Sequence, residues 1–160
     1  MEGGRELILG AGEKLKRASA QSRVLGTTGL AGVRESVSHA RTEVRRWLGE
    51  SHPAVDDAVL ATSELVTNAI IHSGCGADGY IGLTVIEQDG AIRIEVNDPG
   101  STVSAPEVRK DPDAESGRGL LIVRELSHDW GSCDDGPGLG RTVWCAIRFT
   151  PSSASGSLSP

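Results

Sequence analysis

Aromatic residues are scarce in this chain of 160 residues: only 3% are Phe, Trp or Tyr, although 38% of all residues are hydrophobic. A core built from this composition must be mainly aliphatic, and the length suits one domain with flexible ends. Long apolar runs are missing too, since none approaches the ~20 residues that a membrane-spanning helix needs. Nothing at the N-terminus resembles a secretory signal, so we expect a cytoplasmic protein without a membrane partner.

Positive charge is not in excess either. The chain has 22 acidic residues against 16 Lys and Arg, and its formal net charge is -6. This balance argues against general binding to nucleic acid, so no direct nucleic-acid partner is expected. Cysteine is limited to Cys75, Cys133 and Cys145, which form neither a metal-type pair nor a disulfide framework. We therefore expect reduced thiols, as in the cytoplasm.

The patterned part of the sequence is flanked by two segments without a sustained pattern. Glycines interrupt residues 1–30, which we interpret as a flexible N-terminal tail, and Ser, Gly and Pro in 151–160 predict a disordered C-terminal tail. Residues 31–150 are expected to form the domain. The predicted elements are a helix over 34–49, a helix over 54–72, a hairpin over 80–97, a helix over 120–126, and strands over 130–134 and 141–149.

The second helix carries a line of polar residues beside its apolar stripe. Glu64, Asn68 and His72 are four residues apart and share one face. A carboxylate there can act as a base toward a hydroxyl, and a carboxamide oxygen suits Mg²⁺. A solvated polar face would produce the same spacing, so only further motifs can decide between the two interpretations.

The hairpin ends in a carboxylate on its buried side. Apolar and polar residues alternate through the second strand, and by this period of two Asp98 follows Ile92, Ile94 and Val96 on the inward face. An acidic group at that position is costly unless it binds something. The following Gly100 lets a backbone or ligand come close.

The segment after the hairpin combines a polar loop with glycines. Residues 101–116 contain two prolines and little apolar character, and we interpret them as a mobile loop long enough to act as a lid. Gly117-Arg118-Gly119 then opens a helix, where free N–H groups attract an anion. Alone, glycine before a helix more often marks a simple turn.

Four motifs in this order resemble those of the ATP-binding (GHKL, or Bergerat) domain shared by DNA gyrase, histidine kinases and MutL. They are Glu64-x-x-x-Asn68, Asp98-x-Gly100, Gly117-x-Gly119 and Gly140-x-Thr142. Over residues 34–149 the chain is most similar to bacterial anti-sigma-factor serine kinases of the RsbW and SpoIIAB type. The resemblance implies an α+β fold, a two-layer sandwich whose mixed, mainly antiparallel sheet is covered on one face by helices.

The resemblance also implies a role for each motif residue. Asn68 would hold Mg²⁺, and Glu64 would be the general base. Asp98 would accept a hydrogen bond from the adenine amino group, with Thr142 supporting it through water. The remaining implied positions are Gly100, which would let adenine lie against the backbone, and Gly117 and Gly119, which would shape the phosphate-binding turn. From their charge and their place in the chain, we also expect Arg118 and Lys110 to reach the phosphates.

The function implied is an ATP- and Mg²⁺-dependent protein serine kinase. It would phosphorylate an anti-sigma-factor antagonist of the STAS type, silence a sigma factor when not so engaged, and possess a dimer surface. One alternative is a nucleotide-binding module that sequesters a partner without catalysis. Another, the catalytic half of a histidine kinase, is weaker, because we find no dimerising phosphoacceptor hairpin before residue 50 and no membrane segment. The segment around His39 matches a phosphoacceptor poorly, since Ala40 replaces the usual acidic residue, so we expect His39 to be a surface histidine.

Overall fold

The structure is a computed structural model that describes residues 21–99, 116–136 and 139–151. In chain order, its elements are β1 (Ser22–Ala31), α1 (Ser36–Leu48), α2 (Val55–Ser73), β2 (Tyr80–Gln88), β3 (Ala91–Asp98), α3 (Ser116–Leu126), β4 (Asp129–Asp134) and β5 (Arg141–Arg148). None of these helices is long and apolar enough to cross a membrane.

The five strands form one sheet in the order β1-β2-β3-β5-β4. All four pairings between the described strands are antiparallel, so this sheet is more uniform than the mixed one expected. Side chains alternate along β3, where Ile92, Ile94 and Val96 are buried against the helices and Arg93 and Glu95 face outward. The predicted α+β fold with helices on one face of the sheet is therefore confirmed.

The hairpin of β2 and β3 depends on a two-residue turn. Asp89 has φ 50° and Gly90 has φ 74°, which matches the turn class whose twist suits a right-handed pair of strands. Because this turn fixes the register, Val85 pairs with Ile94 and Leu83 with Val96, and all four side chains enter the core.

Aliphatic side chains from α1, α2 and the inner face of the sheet fill the core, as the composition predicted. α2 is its centre, because residues on most of its circumference are buried, among them Val59, Leu65 and Val66. The helix ends where Gly74 adopts the left-handed conformation with φ 59°. The other large, fully buried side chains are Leu30, Val44, Ile81, Leu83, Val85, Ile92, Ile94, Val96, Val123 and Ile147.

Strand β1 is a correction to the sequence analysis, which placed residues 22–30 in the flexible tail. They form an edge strand paired with β2, with an irregularity between Val24 and Gly26. The glycine that suggested disorder has a packing role, because a Cβ at Gly26 would overlap the ring of Trp47 on α1. The remaining tail residues, 1–20 and 152–160, lie outside the described part of the chain.

Helix α3 begins earlier than predicted. It starts at Ser116, so Gly117, Arg118 and Gly119 lie inside its first turn and do not precede it. The lid is predicted over 101–116; residues 101–115 lie outside the described part of the chain, and Ser116 belongs to α3. Just beyond the other end of α3, the backbone N–H and the hydroxyl of Ser127 both donate to the carbonyl oxygen of Val123, and β4 begins at Asp129.

Candidate functional site

The polar face of α2 lies where that helix meets α3. Glu64 and Asn68 are one helical turn apart and both are half-buried, whereas His72 in the last turn is exposed. On either side of this face, Leu65, Val66 and Ala69 are buried in the core. The helix is therefore fixed by its apolar side, which gives the polar side a defined orientation.

Asn68 has a hydrogen-bonding need that no described residue meets. Its Oδ1 atom is buried and has no hydrogen-bond partner within the described ranges. An orphaned carbonyl oxygen carries a desolvation penalty of about 1–3 kcal/mol, which a metal ion or a donor can relieve. Because a carboxamide oxygen is a hard ligand, this residue fits the Mg²⁺ that the ATP-binding motifs imply. Thr62 Oγ1 is also buried without a partner in this part of the chain, but it lies on the core side of α2.

Glu64 extends toward the first turn of α3. A Cβ built on Gly119 would come closer than 3.0 Å to Glu64 Oε2 and would lie 3.4 Å from its Cδ. Gly119 is buried and Val123, one turn later, is 1% exposed, so the two residues mark the side of α3 that packs inward. The structure thus brings together two residues from separate motifs, the carboxylate of Glu64 and the glycine of α3.

Asp98 ends β3 on the helix-facing side of the sheet, as its alternation predicted. It is half-buried and pairs in register with Arg141, whose Nε donates to Asp134 at 3.1 Å. Gly140 lies against the backbone at the end of β3, and its φ is 91°. A Cβ at residue 140 would overlap the Asp98 carbonyl oxygen and lie 2.7 Å from the Pro99 carbonyl carbon. Only glycine fits this conformation and this close approach.

The Thr142 hydroxyl has partners other than the one expected. It donates to Asp135 at 2.9 Å, while Asn97 Nδ2 donates to Asp135 at 2.7 Å and to Thr142 Oγ1 at 3.1 Å. Since Thr142 pairs with Asn97, this triangle lies on the outer face of the sheet, one residue away from the inward Asp98. Partial burial, followed by the Asp135 charge, raises the pKa of the neighbouring Cys133 thiol.

Several expected site residues cannot be placed as a group. Gly100 and Lys110 lie outside the described residues, and Gly117 and Arg118 lie in the first turn of α3. Their assigned roles remain predictions. His39, by contrast, has a side chain that is 57% exposed and lies 3.6 Å from Glu43, which confirms it as a surface histidine.

Sequence reasoning missed three residues that shape the site. Gly140 belongs to the Gly140-x-Thr142 motif, but the motif alone does not reveal its positive φ. Asn97 lies on the outward side of β3 and Asp135 directly follows β4, so neither position by itself indicates a contact between them. Their meeting depends on the register of β3 against β5, and the only local signal was the acidic pair Asp134-Asp135 before the Gly/Pro turn.

Together, the sheet with its terminal carboxylate and the Glu64–Asn68 face of α2 form an α+β arrangement that suits a nucleotide. A family model described as the histidine kinase-like ATPase domain matches residues 31–147, and the chain belongs to this family. Its nucleotide is therefore ATP.

Two of the relatives that the chain resembles share one description. An anti-sigma F factor of Clostridium acetobutylicum is 35% identical over 102 residues, a match covering 58% of this chain and 71% of that protein. An anti-sigma F factor of Geobacillus kaustophilus is 32% identical over 105 residues, covering 58% and 70%. These matches agree with the resemblance noted from the motifs.

Two solved structures share the fold. The first contains the RsbU and RsbW domains of a Mycobacterium tuberculosis protein, with a TM-score of 0.56 and 24% identity; the match covers 80% of this chain and 32% of that one, so this chain corresponds to about a third of it. The second is the SiaB–SiaC complex from Pseudomonas aeruginosa, with a TM-score of 0.56 and 14% identity, covering 88% and 98%. At these identities the likeness concerns the fold alone.

Proposed function

We propose that this chain is an ATP-dependent protein serine kinase that acts as an anti-sigma factor and phosphorylates a STAS-type antagonist. One observation carries the proposal: on α2, a carboxylate directed at α3 stands one turn before an amide oxygen that is buried without a partner in the described part of the chain. A base beside a metal ligand is the combination that transfer to a hydroxyl needs. The description of the relatives as anti-sigma F factors supports the choice of partners.

In this mechanism the protein mainly aligns the reactants and accepts one proton. Asn68 would hold Mg²⁺, which supplies charge neutralisation for the phosphates when bound. Glu64 takes the proton of the antagonist's serine hydroxyl while the serine oxygen forms a bond to the γ-phosphorus of ATP. The bond from that phosphorus to the β,γ-bridging oxygen breaks, and ADP departs with the electron pair.

Asp98 would select the base of the nucleotide. Its carboxylate accepts a hydrogen bond from the amino group of adenine. Guanine has a carbonyl oxygen at the same ring position, and two acceptors repel each other. ATP should therefore be preferred over GTP. Gly140 lies against the backbone of Asp98, where a larger residue would disturb this carboxylate.

The regulatory part of the proposal concerns two protein partners. The chain would bind and silence a sigma factor until the antagonist competes for binding to this chain. The chain would then inactivate the antagonist by phosphorylating it. A homodimer fits this scheme. The net charge of -6 is consistent with partners that are proteins and not nucleic acid.

The test is phosphate transfer with purified components. The protein is incubated with ATP labelled in the γ-phosphate, Mg²⁺ and each STAS-type antagonist of the same organism, and the label is mapped by mass spectrometry. We expect phosphoserine on one antagonist, loss of transfer when EDTA removes the metal, and weaker competition by GTP than by unlabelled ATP. Sigma-factor binding without transfer to any antagonist would instead support the non-catalytic nucleotide-binding module.

A further inference from the structure

The carboxylate of Glu64 occupies the position that a side chain at residue 119 would need. A Cβ at position 119 would meet three atoms of one side chain, Oε2, Cδ and Cβ of Glu64, the last at 3.7 Å. Only Oε2 would overlap with the added Cβ, whereas Cδ and Cβ of Glu64 would lie in ordinary van der Waals contact with it. A side chain at 119 would therefore displace the carboxylate end of Glu64.

A glycine at this position has a cost that needs an explanation. Glycine is among the least favourable residues inside a helix, and alanine is the most favourable. Gly119 lies in the first turn of α3, where it is buried on the same side of the helix as Val123, so a side chain at 119 would face inward toward α2. Its lack of a Cβ is what allows the Glu64 carboxylate to lie against α3.

We propose that Gly119 is a positioning residue that sets the orientation of the Glu64 carboxylate. This role rests on the proposed kinase function, in which Glu64 is the base. A methyl group at 119 would displace Oε2 while leaving the N–H group of residue 119 and the Asn68 side chain in place. The displacement would therefore impair proton transfer far more than ATP binding.

The experiment is a double-substitution cycle in the full chain, with antagonist phosphorylation and ATP affinity measured for each variant. Gly119→Ala should lower kcat at least tenfold and change the Kd for ATP less than threefold. Glu64→Asp should also lower kcat in the wild-type background. In the Gly119→Ala background, however, Glu64→Asp should cost little more, because the shorter side chain no longer meets the added methyl group.

Leu121→Ala is the matched control on α3, since Leu121 is 57% exposed and on the surface. It should leave kcat unchanged, and circular dichroism should confirm that all variants are folded.

Gly119→Ala by itself could prevent folding. In that case the proposal requires that the double variant, Gly119→Ala with Glu64→Asp, folds and has the activity of Glu64→Asp alone. Wild-type kcat in Gly119→Ala, or losses that multiply across the cycle, would overturn this role and leave the kinase function intact. A wild type without any transfer would overturn both, which distinguishes the two failures.

Discussion

The candidate site has two halves that are stabilised in different ways. The helix half, formed by Glu64, Asn68 and Gly119, contains a polar atom left unpaired among the described residues and a carboxylate placed against a glycine. The strand half, formed by Asp98, Gly140 and Thr142, is joined by backbone pairing and by the side-chain triangle on the outer face of the sheet.

This difference separates chemistry from recognition. Groups with unmet hydrogen-bonding needs are suited to a metal or a moving proton, because binding or reaction satisfies them. A strand end held by backbone pairing is suited to recognising adenine, because the carboxylate that accepts the adenine hydrogen bond must keep a fixed position. We therefore expect changes in the helix half to affect turnover, and changes in the strand half to affect ATP affinity and stability.

The largest effect is expected from Glu64→Ala. A base acts in the transition state and adds little to binding of the ground state, so transfer should fall by roughly 10²-fold or more while ATP affinity stays within about threefold. Single-turnover kinetics and calorimetry measure the two quantities. Thr67→Ala, a neighbouring change on α2, is the control, and transfer at the wild-type rate in Glu64→Ala would make Glu64 a structural residue.

Gly140→Ala tests how strongly the strand half depends on one glycine. An L-residue at φ 91° is strained, and its Cβ would overlap the Asp98 carbonyl, so unfolding free energy should fall by about 2–4 kcal/mol. Urea unfolding measures the loss. Gly136 in the same turn has φ 108° but a Cβ there would only touch Leu139 at 3.5 Å, so Gly136→Ala should cost less. Equal losses would contradict the importance of the Asp98 contact.

Asp98→Asn should weaken ATP binding by about 1–3 kcal/mol, the usual cost of mispairing a charge-assisted hydrogen bond. The ratio of ATP affinity to GTP affinity should be smaller in the Asp98→Asn variant than in the wild type. Asp134→Asn, which alters the ion pair of the neighbouring Arg141, is the control and should leave this preference unchanged. Unchanged ATP affinity in Asp98→Asn would remove Asp98 from the site.

The smallest effect is expected from Thr142→Val, which keeps the shape of the side chain and removes its hydroxyl. Since that hydroxyl bonds to Asp135 and Asn97, the loss should be about 1 kcal/mol of stability, with an equally small loss in Asp135→Ala. ATP affinity should change to the same slight extent in both variants. A much weaker affinity in Thr142→Val alone would show that Thr142 supports the adenine directly.

The sequence predicted those features that depend on neighbours along the chain. The spacing of Glu64 and Asn68 follows from one helix, and the inward direction of Asp98 follows from alternation in one strand. The turn at Asp89-Gly90 has its own local signal. These predictions needed no information about which elements pack together.

The features that the sequence concealed depend on contacts between distant segments. Gly26 resembled a tail glycine because its neighbour, the Trp47 ring, lies on another element. The partners of Thr142 follow from the register of β3 against β5, and the Glu64–Gly119 contact follows from the crossing of α2 and α3. No local periodicity encodes a register or a crossing point.

The pairing of β1 with β2 also has a consequence for synthesis of the protein. Ala31 pairs with Tyr80, and α1 and α2 lie between these residues in the chain. During synthesis β1 therefore leaves the ribosome before β2 and stays unpaired until α1, α2 and β2 have been made. An unpaired strand rich in apolar residues would invite association with other nascent chains. The middle of β1 consists of Gly26, Thr27, Thr28 and Gly29, which carry no large apolar side chains. The unpaired strand is therefore a poor template for such association.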